Sequence, residues 1–128
     1  MIVAGIGSRK GVSAAEVVAA VEAALQEHGL TRPALSMLAT ARMKEHEAGI
    51  IAAGGALNVP LILVDGEVLN EMSDRTLSHS EASLSLTGTP SVSEAAALAG
   101  AGDGARLAGP RIAVGPVTCA IAFGGDDQ

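Results

Sequence analysis

Apolar and polar positions at the start of the chain alternate as expected for a strand followed by a helix. Residues 2–6 form a short apolar run that Gly7 ends, which predicts a first strand buried on both faces. Residues 13–16, Ser-Ala-Ala-Glu, are a capping-box pattern and predict a helix start. Apolar residues at helical spacing follow, and Gly29 supplies the stop.

The same alternation continues beyond this helix. Residues 35–39 form a second apolar run, and residues 59–64 form a third run that predicts a central strand. Thr40 can cap a helix between these two runs, and this helix is expected to extend to Gly54 and Gly55. Three strands separated by two helices are typical of a parallel sheet with helical crossovers.

The second half of the chain has a different pattern. A short helix is expected near residues 68–72, and residues 87–90 predict a turn. A second capping-box pattern begins a predicted helix over residues 91–99. Residues 111–114 and 117–123 are apolar runs on either side of a Gly-Pro pair, which predicts a terminal hairpin.

Together these elements predict an α/β fold. We expect a single three-layer domain over residues 1–124, with a largely parallel central sheet, helices on both faces and a C-terminal antiparallel hairpin. Residues 125–128 are expected to be a frayed tail. The chain has 128 residues, with one Phe and no Trp or Tyr, so the core must consist of Ala, Val, Leu, Ile and Met.

Charge and composition exclude some classes of function. The net charge of −6 leaves no basic stripe, and one aromatic residue cannot form a base-stacking platform, so nucleic acid is not an expected partner. No apolar run approaches the length of a membrane span, and no signal peptide is recognisable. With Cys119 as the only cysteine, these features predict a cytoplasmic protein without a disulfide framework or a membrane partner.

The loop between the first strand and the first helix is the leading candidate for a binding site. Its candidate ligand-binding residues are Gly5, Gly7, Ser8, Arg9, Lys10 and Gly11. Exposed N–H groups at a helix start, together with two cations, suit a carboxylate or a phosphate. The alternative is a plain turn with exposed charges. The glycine spacing matches neither common nucleotide-binding motif.

Lys44 and Glu47 are candidate catalytic residues. If both lie on the second predicted helix, they share a face with Met43, Ile50 and Ile51. A carboxylate among apolar residues must be paired or hydrogen-bonded. Glu47 is therefore either paired internally with Lys44 or placed at a cleft with a raised pKa that suits proton transfer.

Further candidates lie near the other helix starts and on the last strand. Gly88, Ser91 and Glu94 surround a helix start that is rich in donors, although a capping box by itself explains Glu94. Thr118 is expected to face the opposite side of its strand from Cys119. The histidines show no metal-ligand spacing with Cys119, so neither a protein metal site nor a cofactor is predicted.

These candidates are expected to meet at one place. Ligands usually bind beyond the carboxyl ends of parallel strands, where helix starts share an edge of the sheet. We therefore expect the loop of residues 5–11, Thr40 and the segment of residues 88–94 to converge on one cleft.

Four segments, covering nearly the whole chain, together resemble the CobE family, whose domain also forms the C-terminal part of CbiG. They are residues 3–12 (Val-Ala-Gly-Ile-Gly-Ser-Arg-Lys-Gly-Val), residues 38–50 with Lys44 and Glu47, residues 88–98 and residues 117–122. The resemblance implies a role in cobalamin (vitamin B12) biosynthesis. The first and third segments are the more specific ones.

The resemblance also implies a ligand. Because the chain starts directly at the shared domain, it is similar to the stand-alone form of the aerobic pathway. That form is expected to bind or carry a precorrin or hydrogenobyrinic-acid-type intermediate, a tetrapyrrole with many peripheral carboxylates. The alternatives are a CbiG-like hydrolase that opens a lactone of the cobalt-precorrin-5A type and releases acetaldehyde, or an accessory subunit of another cobalamin-pathway enzyme.

Overall fold

The computed structural model describes residues 1–79 and 91–125. Its strands are β1 (Ile2–Ser8), β2 (Met37–Ala41), β3 (Leu61–Val64), β4 (Arg106–Leu107), β5 (Ile112–Val114) and β6 (Val117–Phe123), and its helices are α1 (Ala14–Glu27), α2 (Ala48–Leu57), α3 (Gly66–Glu71) and α4 (Val92–Ala101). The predicted turn at residues 87–90, including Gly88, lies outside the described residues, as do residues 126–128 of the predicted tail.

One mixed sheet forms the centre of the fold. Its order is β3-β2-β1-β6-β4, and β5 also pairs with β6. Strands β1, β2 and β3 are parallel, whereas β6 runs antiparallel to β1, β4 and β5. The predicted α/β fold, its parallel strands and its antiparallel terminal hairpin are therefore confirmed.

The helices cover both faces of the sheet. On one face, α1 and α2 pack over Ile6, Cys119 and Ile121, and on the other face α4 packs over Val3 and Ala120. Neighbouring residues of a strand point to opposite faces. Thr118 accordingly lies on the α4 face, opposite Cys119, as expected.

Helix α4 lies unusually close to β1, and glycine makes this approach possible. A Cβ atom on Gly5 would lie 1.9 Å from the carbonyl oxygen of Ser93 and 2.6 Å from the backbone nitrogen of Ala97. Any side chain at Gly5 would therefore push the helix away from the strand. This contact gives Gly5, a predicted ligand-binding residue, a role in packing.

The two capping-box predictions had different outcomes. At Ser13 both bonds of the motif form: the Ser13 hydroxyl accepts from the Glu16 amide at 3.1 Å, and the Glu16 carboxylate accepts from the Ser13 amide at 2.9 Å. At Ser91 the side chain makes no capping bond, and Glu94 is buried and bonded to other segments. The capping box at Ser91 was therefore a wrong prediction.

The start of the second helix was also predicted wrongly. Thr40 belongs to β2, where it pairs with both neighbouring strands, and its buried hydroxyl donates to the Ile6 carbonyl oxygen at 2.8 Å. The chain then forms a 3₁₀ turn (Arg42–Lys44), and α2 begins only at Ala48. A β-branched residue with neighbours on both sides favours the strand over a helix cap.

This shift changes the surroundings of the candidate catalytic residues. Met43 and Ile51 are exposed, whereas Ile50 is buried. Since Lys44 precedes α2, it does not share a face of that helix with Glu47, and the expected apolar surroundings of Glu47 are not formed.

No helix within residues 1–79 and 91–125 is long and apolar enough to span a membrane.

Candidate ligand-binding site

The carboxyl ends of the parallel strands and several helix starts meet at one edge of the sheet. Strand β1 ends here at Ser8, and β6 begins opposite it at Val117. Helix α4 starts at the same edge, because the nearest atoms to a Cβ on Gly7 include the Ser93 nitrogen at 3.7 Å. The loop of residues 5–11 and the start of α4 therefore lie at the same edge of the sheet, and the cleft expected between them stays a prediction. Thr40 lies one residue before the end of β2, so its buried hydroxyl, which donates to the Ile6 carbonyl oxygen, is close to the same edge.

The loop after β1 is held by its backbone and leaves its cations exposed. The Arg9 amide donates to the Pro116 carbonyl oxygen at 3.2 Å, and the Gly11 amide donates to Glu47 Oε1 at 2.6 Å. Gly11 has a φ of 79°, which favours glycine. Arg9 and Lys10 are exposed, and neither forms an ion pair with a described residue. The loop thus presents two cations on a fixed backbone.

Glu47 has a partner that neither of the sequence alternatives included. No ion pair joins Lys44 to Glu47, although the structure describes both residues. Instead, Glu47 precedes α2 and binds the Gly11 amide across 36 residues of sequence. The internal pair is therefore absent, and Glu47 connects the cationic loop to the start of α2. Its role at a ligand site stays a prediction.

Glu94 is a buried carboxylate that joins two distant segments to α4. Its Oε1 accepts from the Leu77 amide at 2.8 Å and the Ser78 amide at 2.7 Å. Its Oε2 accepts from the Ser78 hydroxyl at 2.8 Å and the Arg111 amide at 2.8 Å. Burial alone would raise the pKa of Glu94, but these bonds outweigh burial and hold the pKa below its ordinary value.

Arg111 and Arg42 are cations that the sequence analysis missed. Arg111 Nη1 donates to the Ser91 hydroxyl at 3.3 Å, which places a guanidinium beside the first turn of α4. Arg42, just after β2, pairs with Asp65, and this partner raises the pKa of the guanidinium. The position of Arg42 after a predicted strand was an available signal. No local pattern marks Arg111, because its partners lie about 20 residues earlier in the chain.

Two buried hydroxyls at this edge have no hydrogen-bond partner in the described structure: Ser8 and Ser93. Gly7 faces α4, so Ser8, the next residue, faces the side of α1 and α2. Ser93 lies on the α4 side, near Thr118. The edge therefore has polar groups on both faces of β1.

The described residues offer few groups for metal or thiol chemistry. No cluster of three or more His, Cys, Asp or Glu within residues 1–79 and 91–125 could hold a metal ion. Cys119 is buried, and burial raises the pKa of its thiol well above the ordinary value. The described residues at this edge can therefore contact a ligand mainly through hydrogen-bond donors and cations.

The fold and this edge define a class of protein: a small α/β domain whose strand ends, helix starts and cations suit an anionic ligand. Residues 2–122 match the family described as "Cobalamin synthesis G C-terminus", and the chain belongs to this family. It is a cobalamin biosynthesis protein.

Relatives and solved structures agree with this assignment. Protein CobE from Sinorhizobium sp. is 33% identical over 121 residues, which cover 94% of this chain and 79% of the relative. The crystal structure of CobE, a protein from the cobalamin (vitamin B12) biosynthetic pathway, is similar with a TM-score of 0.91 and 37% identity, covering 95% of this chain and 89% of that chain. Cobalamin biosynthesis protein chiG from Agrobacterium tumefaciens str. C58 is similar with a TM-score of 0.79 and 48% identity, covering 98% of this chain and 100% of that chain.

Proposed function

We propose that this protein binds a precorrin or hydrogenobyrinic-acid-type intermediate of the aerobic cobalamin pathway and carries it between enzymes. The observation that carries the proposal is the loop after β1. Arg9 and Lys10 are exposed without ion pairs among the described residues, while the loop backbone is fixed by Pro116 and Glu47. A corrin intermediate with many peripheral carboxylates has the complementary charge.

The physical basis is local rather than global electrostatics. The net charge of −6 repels a polyanion at long range, so affinity must come from short contacts. A carboxylate bonded to a fixed guanidinium or ammonium forms a charge-assisted hydrogen bond, which is about twice as strong as a neutral one. A loop that is already ordered loses little conformational entropy when the ligand binds.

The test is a titration of the purified protein with hydrogenobyrinic acid, followed by visible absorbance. Its fully amidated counterpart is the matched control, because it keeps the ring and removes the negative charges. We expect saturable binding of the acid and much weaker binding of the amide. Equal binding of both forms would contradict carboxylate recognition, and binding of neither would contradict the proposal itself.

Lactone hydrolysis is a second candidate function, which one observation favours. Glu47 lies at the same edge as the cationic loop, and its Oε2 has no hydrogen bond within the described residues. This oxygen is therefore available to accept a proton from water, with Lys44 nearby in sequence as an electrophilic helper. Release of acetaldehyde from a lactone-bearing cobalt-precorrin would support hydrolysis, provided that Glu47→Gln abolishes it. If no acetaldehyde is released, hydrolysis is contradicted and only the proposed binding function remains.

A further inference from the structure

The first turn of α4 contains a buried polar group that the fold does not satisfy. Ser93 is 0% exposed, and its hydroxyl has no hydrogen-bond partner in the described structure. A buried hydroxyl without a partner lowers stability, so its presence needs a reason. Ser93 packs against the end of β1, because its Cβ comes within 3.9 Å of the position that a Cβ on Gly7 would take.

Further donors surround the same position. The Ser93 backbone nitrogen lies 3.7 Å from this Cβ position of Gly7, and Thr118 Oγ1 lies 2.6 Å from it. Thr118 Oγ1 makes only a long bond, 3.4 Å, to the Gly7 carbonyl oxygen. Gly7 and Thr118 are partly exposed, so this polar cluster is connected to solvent. A side chain larger than glycine at Gly7 would collide with Thr118 Oγ1.

Positive charge at this cluster comes from the start of α4 and from Arg111, while the Glu94 carboxylate in the same turn is already satisfied by four hydrogen bonds. The first amides of an α-helix have no partners within the helix, and the side chain of Ser91 does not cap α4. The positive end of the helix therefore points at the cluster. Arg111 adds a full positive charge beside this turn through its bond to Ser91, while Glu94 holds the Arg111 backbone in place.

We propose that Ser93, Thr118 and Arg111 form a second carboxylate-binding subsite at the start of α4. This inference rests on the proposed function, since it assigns a peripheral carboxylate of the corrin intermediate to this subsite. The subsite lies on the α4 face of β1, whereas the cationic loop leads into α1 on the other face. A large ring with carboxylates around its rim can reach both sites across the edge of the sheet.

The experiment combines two probes and three variants. Sodium acetate, with sodium chloride as the ionic-strength control, is titrated into labelled protein while amide resonances are followed by NMR. Hydrogenobyrinic acid is titrated in parallel. The variants are Ser93→Ala, Thr118→Val and Arg111→Gln, with Arg32→Gln as a matched control, because Arg32 pairs with exposed Glu22 before the start of β2.

We expect acetate to shift the Ser93 amide resonance in the wild type and to shift it far less in Thr118→Val and Arg111→Gln. Each of the three variants should bind hydrogenobyrinic acid about ten-fold more weakly, the loss expected for one hydrogen bond to a charged group. Arg32→Gln should bind normally. The melting temperature of Ser93→Ala should be unchanged or higher, because the variant removes an unpartnered buried hydroxyl.

Several results would overturn the subsite. If the wild type and all three variants bind hydrogenobyrinic acid equally, the subsite is wrong and the proposed function stands. If Ser93→Ala melts at a lower temperature with unchanged affinity, the hydroxyl has a structural role. If the wild type does not bind hydrogenobyrinic acid, the proposed function fails, and the acetate shifts alone then decide whether the subsite exists.

Discussion

At the scale of single residues, buried polar groups show which contacts hold the candidate site together. Glu94 accepts four hydrogen bonds from residues 77, 78 and 111, and thereby holds these two segments against the first turn of α4. Glu47 likewise joins two segments, because it accepts one hydrogen bond from the Gly11 amide. Each carboxylate connects segments that are far apart in sequence, so each can be tested by its effect on stability.

The first prediction concerns Glu94. Glu94→Gln places an amide NH₂ group opposite several donors, so it should lower the free energy of unfolding by about 1–3 kcal/mol at pH 7. Glu22→Gln, on the exposed surface, is the control and should change it by less than about 1 kcal/mol. Urea denaturation measures both. Equal effects of the two variants would show that the bonds of Glu94 contribute little.

The same carboxylate makes stability depend on pH. Because the folded protein holds the pKa of Glu94 below its unfolded value, the ionised group stabilises the fold at pH values above the unfolded pKa. This contribution should be lost as the pH falls through the lower, folded pKa. Denaturation series from neutral to acidic pH should show a smaller loss of stability in Glu94→Gln than in the wild type. An equal loss of stability with falling pH in both proteins would contradict the stabilising role of ionised Glu94.

A further prediction concerns Glu47. Glu47→Ala removes the acceptor for the Gly11 amide and should lower the free energy of unfolding by about 0.5–1.5 kcal/mol. Glu47→Gln keeps an acceptor oxygen and should be closer to the wild type. If the bond also orders the loop for binding, the affinity for hydrogenobyrinic acid should fall in Glu47→Ala and recover in Glu47→Gln. Equal affinity of the wild type and both variants would show that the order of this loop does not affect ligand binding.

At the scale of elements, the distance between α4 and β1 depends on one small residue. The close contact at Gly5 brings the first turn of α4 to the end of the strand, where Ser93 and Thr118 both lie beside Gly7. Small side chains along the helix, with Ala95, Ala96 and Ala97 all buried, complete this close packing. The position of the candidate subsite therefore follows from how closely these two elements pack.

This packing predicts the effect of a single methyl group. Gly5→Ala should lower the free energy of unfolding by about 1–3 kcal/mol, because the new Cβ collides with the backbone of α4. Gly55→Ala on α2 is the matched control: no atom lies within 4 Å of its Cβ position, so helix propensity should stabilise the protein by up to about 1 kcal/mol. Thermal melts compare the two. A neutral Gly5→Ala would contradict the close contact.

At the scale of the whole molecule, the proposed binding of a polyanion by an acidic protein requires a small region of positive charge. The sheet places the cationic loop and the start of α4 at one edge, and distributes them over both faces of β1. Arg32 lies before the start of β2, near the opposite end of the sheet. The described residues thus offer cations at both ends of the sheet, and the four α-helices given above start at the end with the cationic loop.

The corresponding prediction compares these two ends. The double variant Arg9→Gln/Lys10→Gln should bind hydrogenobyrinic acid at least about ten-fold more weakly, and the remaining affinity should depend less on salt. Its melting temperature should stay close to that of the wild type, because both side chains are exposed. Arg32→Gln should leave affinity unchanged. A lower melting temperature with normal affinity would make Arg9 and Lys10 structural residues.

The sequence by itself determined the order of the elements other than the short strand β4, which it did not predict, and the loop that carries the cations. Apolar runs, the capping box at Ser13 and the Gly-Pro turn are local patterns, and local patterns report local structure. The tertiary structure alone decided the partners of Glu47 and Glu94, the burial of Thr40 and the position of Arg111. These depend on contacts between segments 16 to 36 residues apart. Such contacts form only when the sheet brings the segments together, and no spacing within one segment encodes them.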